Sequence, residues 1–264
     1  MTVRDVATQS PFGPSGLPAL VAVAHGSRDP RSAATVRALV DLVRAGTPHV
    51  DVRTAFLDLS DPPIADVLAD LHGEGHRHVV VVPLLLGDAY HARVDLPGIV
   101  DRVTARLPQL RVTVSHVLGT DPALCELALR RVRETGEDLD DPRLGVVLAA
   151  VGSSHTHANA AVERIAEDWQ ARHGFLAAPA FASVAQPDVP AALAALRARG
   201  GQRFVVASWF LAPGLLPDRV RDAAHAAAPG TSVAAPLGAE PVLAEVVLRR
   251  YADALATLPS LRSA

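Results

Sequence analysis

Three residues could do metal or proton chemistry, and each stands beyond a short apolar run: His25 after ALVAVA, Asp58 after VDVRTAFL and His91 after HVVVVPLLL. Two imidazoles and a carboxylate suit a borderline divalent ion such as Fe²⁺, Co²⁺ or Ni²⁺ and leave coordination positions open for exchange. Imidazole also titrates near neutral pH, so the same groups can accept protons. Beside them lie groups suited to an anion: the Gly26 and Ser27 backbone N–H groups, Arg28, and Arg93. Ser27, Asp29 and Pro30 also form a good helix start, which is compatible with anion binding there. A histidine nucleophile for phosphoryl transfer would need an arginine immediately before it, and Ala24 occupies that place.

The elements that must position these groups follow from periodicity. The strand-like runs are 19–25, 50–57, 78–86 and 111–118, then 143–151, 178–184, 203–211 and 231–237. Between them, segments such as 32–45, 62–75, 157–172 and 188–200 carry apolar residues at helical spacing, start after Asp, Pro or Ser and stop near Gly. This βαβα alternation predicts an α/β fold with parallel sheets flanked by helices. Such sheets bind ligands at the carboxyl ends of their strands, where His25, Asp58 and His91 fall.

The pattern is written twice. A shift of about 125 residues lays AHGSRDPRSAATV over AVGSSHTHANAAV and FLDLSDPPIADVLADL over FASVAQPDVPAALAAL, and LGTDPAL later matches LGAEPVL. The expected division is a flexible leader (1–17), an N-terminal domain (18–136), a linker (137–144) and a C-terminal domain (145–264). In the second copy His25, Asp58 and His91 become Val151, Ser183 and Leu216. Both copies face the same folding constraints, so loss of all three groups together points to a site borne by the first copy alone. His155 and His157 form an H-x-H pair that reads as polar surface, and His72, His76 and His78 read as a solvated helix end and loop. Cys125 reads as a small core residue.

Composition removes several classes. The 264 residues are 49% hydrophobic with a formal charge of -3, and all 25 basic residues are arginine, so there is no basic footprint for nucleic acid. No apolar run is long enough to span a membrane, and the polar N-terminus carries no signal core. One cysteine excludes an internal disulfide, and a cytoplasmic location is the expectation.

VAVAHGSRDPR, FLDLSDPPI and VPLLLGDAYHARVDLP together resemble the sirohydrochlorin chelatase family, the class II chelatases of siroheme and cobalamin biosynthesis. The resemblance covers nearly the whole chain as two tandem copies. It implies insertion of Fe²⁺ or Co²⁺, with Ni²⁺ a further candidate, into sirohydrochlorin, with the metal as substrate and no tightly bound cofactor. His25 and His91 match the family's metal-binding and catalytic histidines, and Asp58 stands where glutamate is usual. It further implies one active site in the interdomain cleft, with the C-terminal half as its wall. A single chain acting as a pseudo-dimer is expected, with a homodimer as the alternative. The competing reading is a two-lobed α/β protein that binds a tetrapyrrole or small anion without catalysis.

Overall fold

A computed structural model of the chain describes residues 16–87 and 94–257. His91 and Arg93 lie outside the described residues. The strands β1 (Ala19–Ala24), β2 (Val52–Phe56), β3 (His78–Pro83) and β4 (Arg111–Val114) form a parallel sheet in the order β2-β1-β3-β4. The second copy repeats it with β5 (Leu144–Ala150), β6 (Leu176–Phe181), β7 (Arg203–Ser208) and β8 (Ser232–Val233) in the order β6-β5-β7-β8. Ala24 pairs with Phe56 in one sheet and Ala150 with Phe181 in the other, so the repeat register read from the sequence is the register of the strands. β1 and β3 are buried along their whole length, which explains why they read as unbroken apolar runs.

The helices are α1 (Pro30–Gly46), α2 (Ile64–Gly73), α3 (Leu96–Arg106), α4 (Pro122–Arg133), α5 (Thr156–His173), α6 (Val189–Ala198), α7 (Leu215–Ala227) and α8 (Pro241–Ala256). Proline opens α1 and α4, where its missing N–H costs nothing, and the carboxylates of Asp29 and Asp121 accept from the Arg31 and Ala123 N–H groups.

Alternate residues of each strand serve different layers. Ala19, Val21 and Val23 face an outer core shared with Leu68 of α2 and Val100 of α3, and Val147 and Ala149 face the matching outer core under α6 and α7. The other faces, through Leu20 and Ala22 on one side and Val146 and Leu148 on the other, meet in one continuous core with α1, α4, α5 and α8. Two sheets thus enclose a shared helical layer.

Within that layer the last helices are exchanged. α8, at the end of the second copy, packs on α1 and β3 of the first, while α4, at the end of the first copy, packs on β7 of the second. The Tyr251 hydroxyl on α8 donates to Pro18 O at 2.6 Å, just before β1.

Several expectations needed correction. β4 and β8 are shorter than the runs 111–118 and 231–237 suggested, with β8 only two residues long. His76 and His78 are buried, not solvated: His76 Nε2 lies 3.3 Å from Asp51 Oδ2, and His78 Nε2 lies 3.0 Å from Thr113 Oγ1. Cys125 is in the core as expected, and burial raises its thiol to about 11.

Candidate active site at the strand ends

The β1–β2 ladder runs on past the last paired residues. Leu57 N–H donates to Ala24 O, and Asp58 N–H donates to His25 O at 2.9 Å. His25 and Asp58 are therefore neighbours across two strand ends, with His25 half-buried and Asp58 exposed. Asp58 Oδ1 accepts from Leu59 N–H at 2.8 Å, which fixes the carboxylate at the rim.

Gly26 makes this approach feasible. Its φ is +97°, and a Cβ there would lie 1.7 Å from Asp58 O, so no side chain fits. The next residues are held tightly: Ser60 Oγ accepts from Ser27 N–H at 3.1 Å and donates to Ser27 O at 3.0 Å. The Ser27 N–H, expected as an anion donor, is thus taken up inside the protein. Ser27 Oγ in turn accepts from Asp29 N–H at 3.1 Å. Arg28 is exposed at the same turn.

Sequence reasoning overlooked the contacts that reach this turn from the other half. Gly214, in the loop after β7, sits so close that a Cβ on it would lie 3.9 Å from Asp29 Cβ and 4.0 Å from Ser27 Oγ. Arg31 binds the Asp29 carboxylate through Nε and a terminal nitrogen, and bonds Asp218 of α7 at 2.5 Å. The Arg31 hydrogen bonds hold both carboxyls below the usual range. The only sequence signal was one of charge, in DPR after β1 and PDR after β7.

The second copy keeps this backbone without its chemistry. Ser183 N–H donates to Val151 O at 2.9 Å, and Gly152 has φ +86° with Ser183 O 2.3 Å from a would-be Cβ. Where the first copy has Asp29, the second has His155, whose side chain makes no cap bond. His155 and His157 are exposed, in line with a surface role, and Ser153, Thr156, His157 and Asn159 line a concavity of about 600 Å³. Five of the seven exposed large hydrophobics among the described residues follow strand carboxyl ends: Leu59, Val94, Val151, Val184 and Leu215. The strand-end rim is therefore apolar as well as charged.

A family model described as CbiX matches residues 19–135 and 145–254. A sirohydrochlorin cobaltochelatase of Priestia megaterium is 24% identical over 76% of this chain and 66% of its own length. A sirohydrochlorin ferrochelatase of Bacillus subtilis is 32% identical over 52% of this chain and 51% of its own length. The chain thus spans from about half to about two thirds of these two relatives. Among solved structures, SirB from Bacillus subtilis with Fe³⁺ superposes with a TM-score of 0.76 at 24% identity, covering 90% of this chain and 96% of that one. A cobalt complex of the SirB chelatase from the spizizenii subspecies gives 0.75 at 23% identity, covering 91% and 96%. At this identity the two structures carry the fold.

Proposed function

The chain belongs to the CbiX family, and from that premise we propose that it is a sirohydrochlorin chelatase, a lyase-type enzyme that inserts Fe²⁺ or Co²⁺ into the macrocycle. The observation that carries the proposal is the pairing of His25 with Asp58 on adjacent strand ends in one copy, set against Val151 and Ser183 on the same backbone in the other. Folding alone would have preserved both pairs or neither.

Insertion requires an ion stripped of part of its water shell, a macrocycle held beside it, and removal of two pyrrole N–H protons. His25 supplies a neutral imidazole to hold the ion and then to take a proton, with His91 as its partner in both tasks. Asp58, in the place usual for glutamate, steadies the positive charge at the rim. Leu59, Val151, Val184 and Leu215 offer apolar contact to a flat ring. Arg28 and Arg93 pair with the substrate's acidic side chains, so the net charge of -3 does not repel a polyanion locally.

Anaerobic spectroscopy of sirohydrochlorin with Fe²⁺, Co²⁺ or Ni²⁺ tests the reading, because metallation changes the absorption of the ring. Rapid spectral conversion that His25→Ala and His91→Ala each abolish supports it. Binding of the tetrapyrrole without conversion by the wild type would instead leave a two-lobed binding protein.

A further inference from the structure

We propose that Arg31 and Asp218 form a positioning tether: an ion pair between the two halves that sets the distance of the His25 turn from the wall opposite. The inference rests on the chelatase reading for its catalytic consequence and on geometry for the tether itself. Arg31 reaches both ways from one guanidinium. Toward its own half it grips Asp29, which is 8% exposed and whose N–H is held by Ser27 Oγ, two residues from His25. Toward the other half it bonds Asp218 at 2.5 Å, and Asp218 is held from behind by Arg221 at 2.8 Å. Gly214 packs under the same turn. The path from α7 to His25 thus runs through short polar contacts, without a flexible segment between them.

Stability does not account for the pair. The Arg31 side chain is 50% exposed, and an ion pair so open to water contributes little to folding. The repeat supplies a second argument. In repeat register the positions equivalent to Arg31 and Asp218 are His157 and Arg93, which cannot form an ion pair with each other. Among the described residues, the tether stands on the side of the His25 and Asp58 strand ends. Placement of a reacting group is sensitive to small shifts, so a released turn should slow insertion while leaving metal capture by the imidazole largely intact.

The test uses the full chain with Asp218→Ala, Asp218→Glu, Arg31→Met and the double variant Arg31→Met/Asp218→Ala. Expected is a roughly tenfold fall in kcat for Asp218→Ala with KM for the metal changed less than about twofold, recovery of most activity in Asp218→Glu, and a double variant no worse than the poorer single. In parallel, amide exchange at Gly26–Ser32 rises in Asp218→Ala while that of α8 does not. Unchanged kcat in Asp218→Ala, additive single effects, or loss of melting temperature in proportion to activity would each overturn the tether as a positioning device. Should the wild type insert no metal, the chelatase reading falls, and the exchange measurement still decides whether Arg31 and Asp218 restrain the turn.

Discussion

Arg250 of α8 donates to the Asp121 carboxylate at the start of α4 at 3.1 Å, and also to the Leu118 carbonyl. The converse contact is made by Arg131 of α4, which donates to Glu240 at the start of α8 and to the Leu237 carbonyl. Arg249 and Arg130 add a second arm to each side. LGTDPAL and LGAEPVL are thus the two halves of one reciprocal clamp, and each exchanged helix is fastened at its N-terminus by arginines of the other. Burial alone would raise the Asp121 carboxyl, but the hydrogen bonds from Arg249 and the Ala123 N–H, together with the charges of Arg249 and Arg250, outweigh it and the group sits below its ordinary value.

Removing the anion should therefore cost more than removing one arm. Asp121→Ala loses a helix cap and leaves two arginines unmatched, and is expected to lower stability by about 2–3 kcal/mol in urea unfolding. Arg250→Ala leaves Arg249 in place and is expected to cost about 1–2 kcal/mol. Equal effects of the two variants would contradict the arrangement.

Exchange of α4 and α8 predicts that neither half survives alone as a folded monomer. α8 buries Leu243, Val246, Val247 and Tyr251 against the first half, and each such side chain is worth about 1.5–3 kcal/mol, a sum comparable with the whole stability of a domain. A fragment of residues 1–136 should be unfolded, or should pair with a second copy that returns an α4 into the place of α8. Light scattering with circular dichroism decides; a folded monomer would refute the prediction.

Acidification should expose His78. Burial lowers its folded value below the usual 6.5, so the unfolded chain binds the proton first and stability falls as pH drops below 6.5 toward the folded value. Asp121 loses its contribution lower, as pH falls through its depressed folded value beneath 3.8. His78→Gln is expected to flatten the stability profile just below pH 6.5, read as urea midpoints at successive pH values.

What the sequence disclosed and what it hid follow from the range of the interactions. β1, β3, β5 and β7 are central strands, so their apolar runs are local and legible, as are the Asp-Pro starts of α1 and α4. The amphipathic face of α8 reveals that it is buried but not that the first sheet receives it, because any apolar face would accept it. Arg31 and Asp218 are 187 positions apart, and periodicity carries no information at that distance. His76, in the turn between α2 and β3, reads as solvated because its local neighbours are polar, while the carboxylate beside it, Asp51, comes from the start of β2, 25 positions earlier.

The two strand-end glycines separate folding from chemistry most cleanly. Gly26 and Gly152 both have left-handed φ and both lie where a Cβ would strike a backbone carbonyl, at 1.7 Å and 2.3 Å. Alanine at either site must push two strand ends apart, at an expected cost of more than about 1 kcal/mol. Their effects on metal insertion should differ sharply, because the displaced carbonyl belongs to Asp58 in one case and to Ser183 in the other. Gly26→Ala moves His25 relative to Asp58 and should lower kcat/KM by about 10²-fold. Gly152→Ala moves Val151 relative to Ser183 and should lose no more than about threefold at a temperature where both variants are folded. Comparable losses of activity would mean that the second copy takes part in the chemistry, contrary to the asymmetry of the two strand ends.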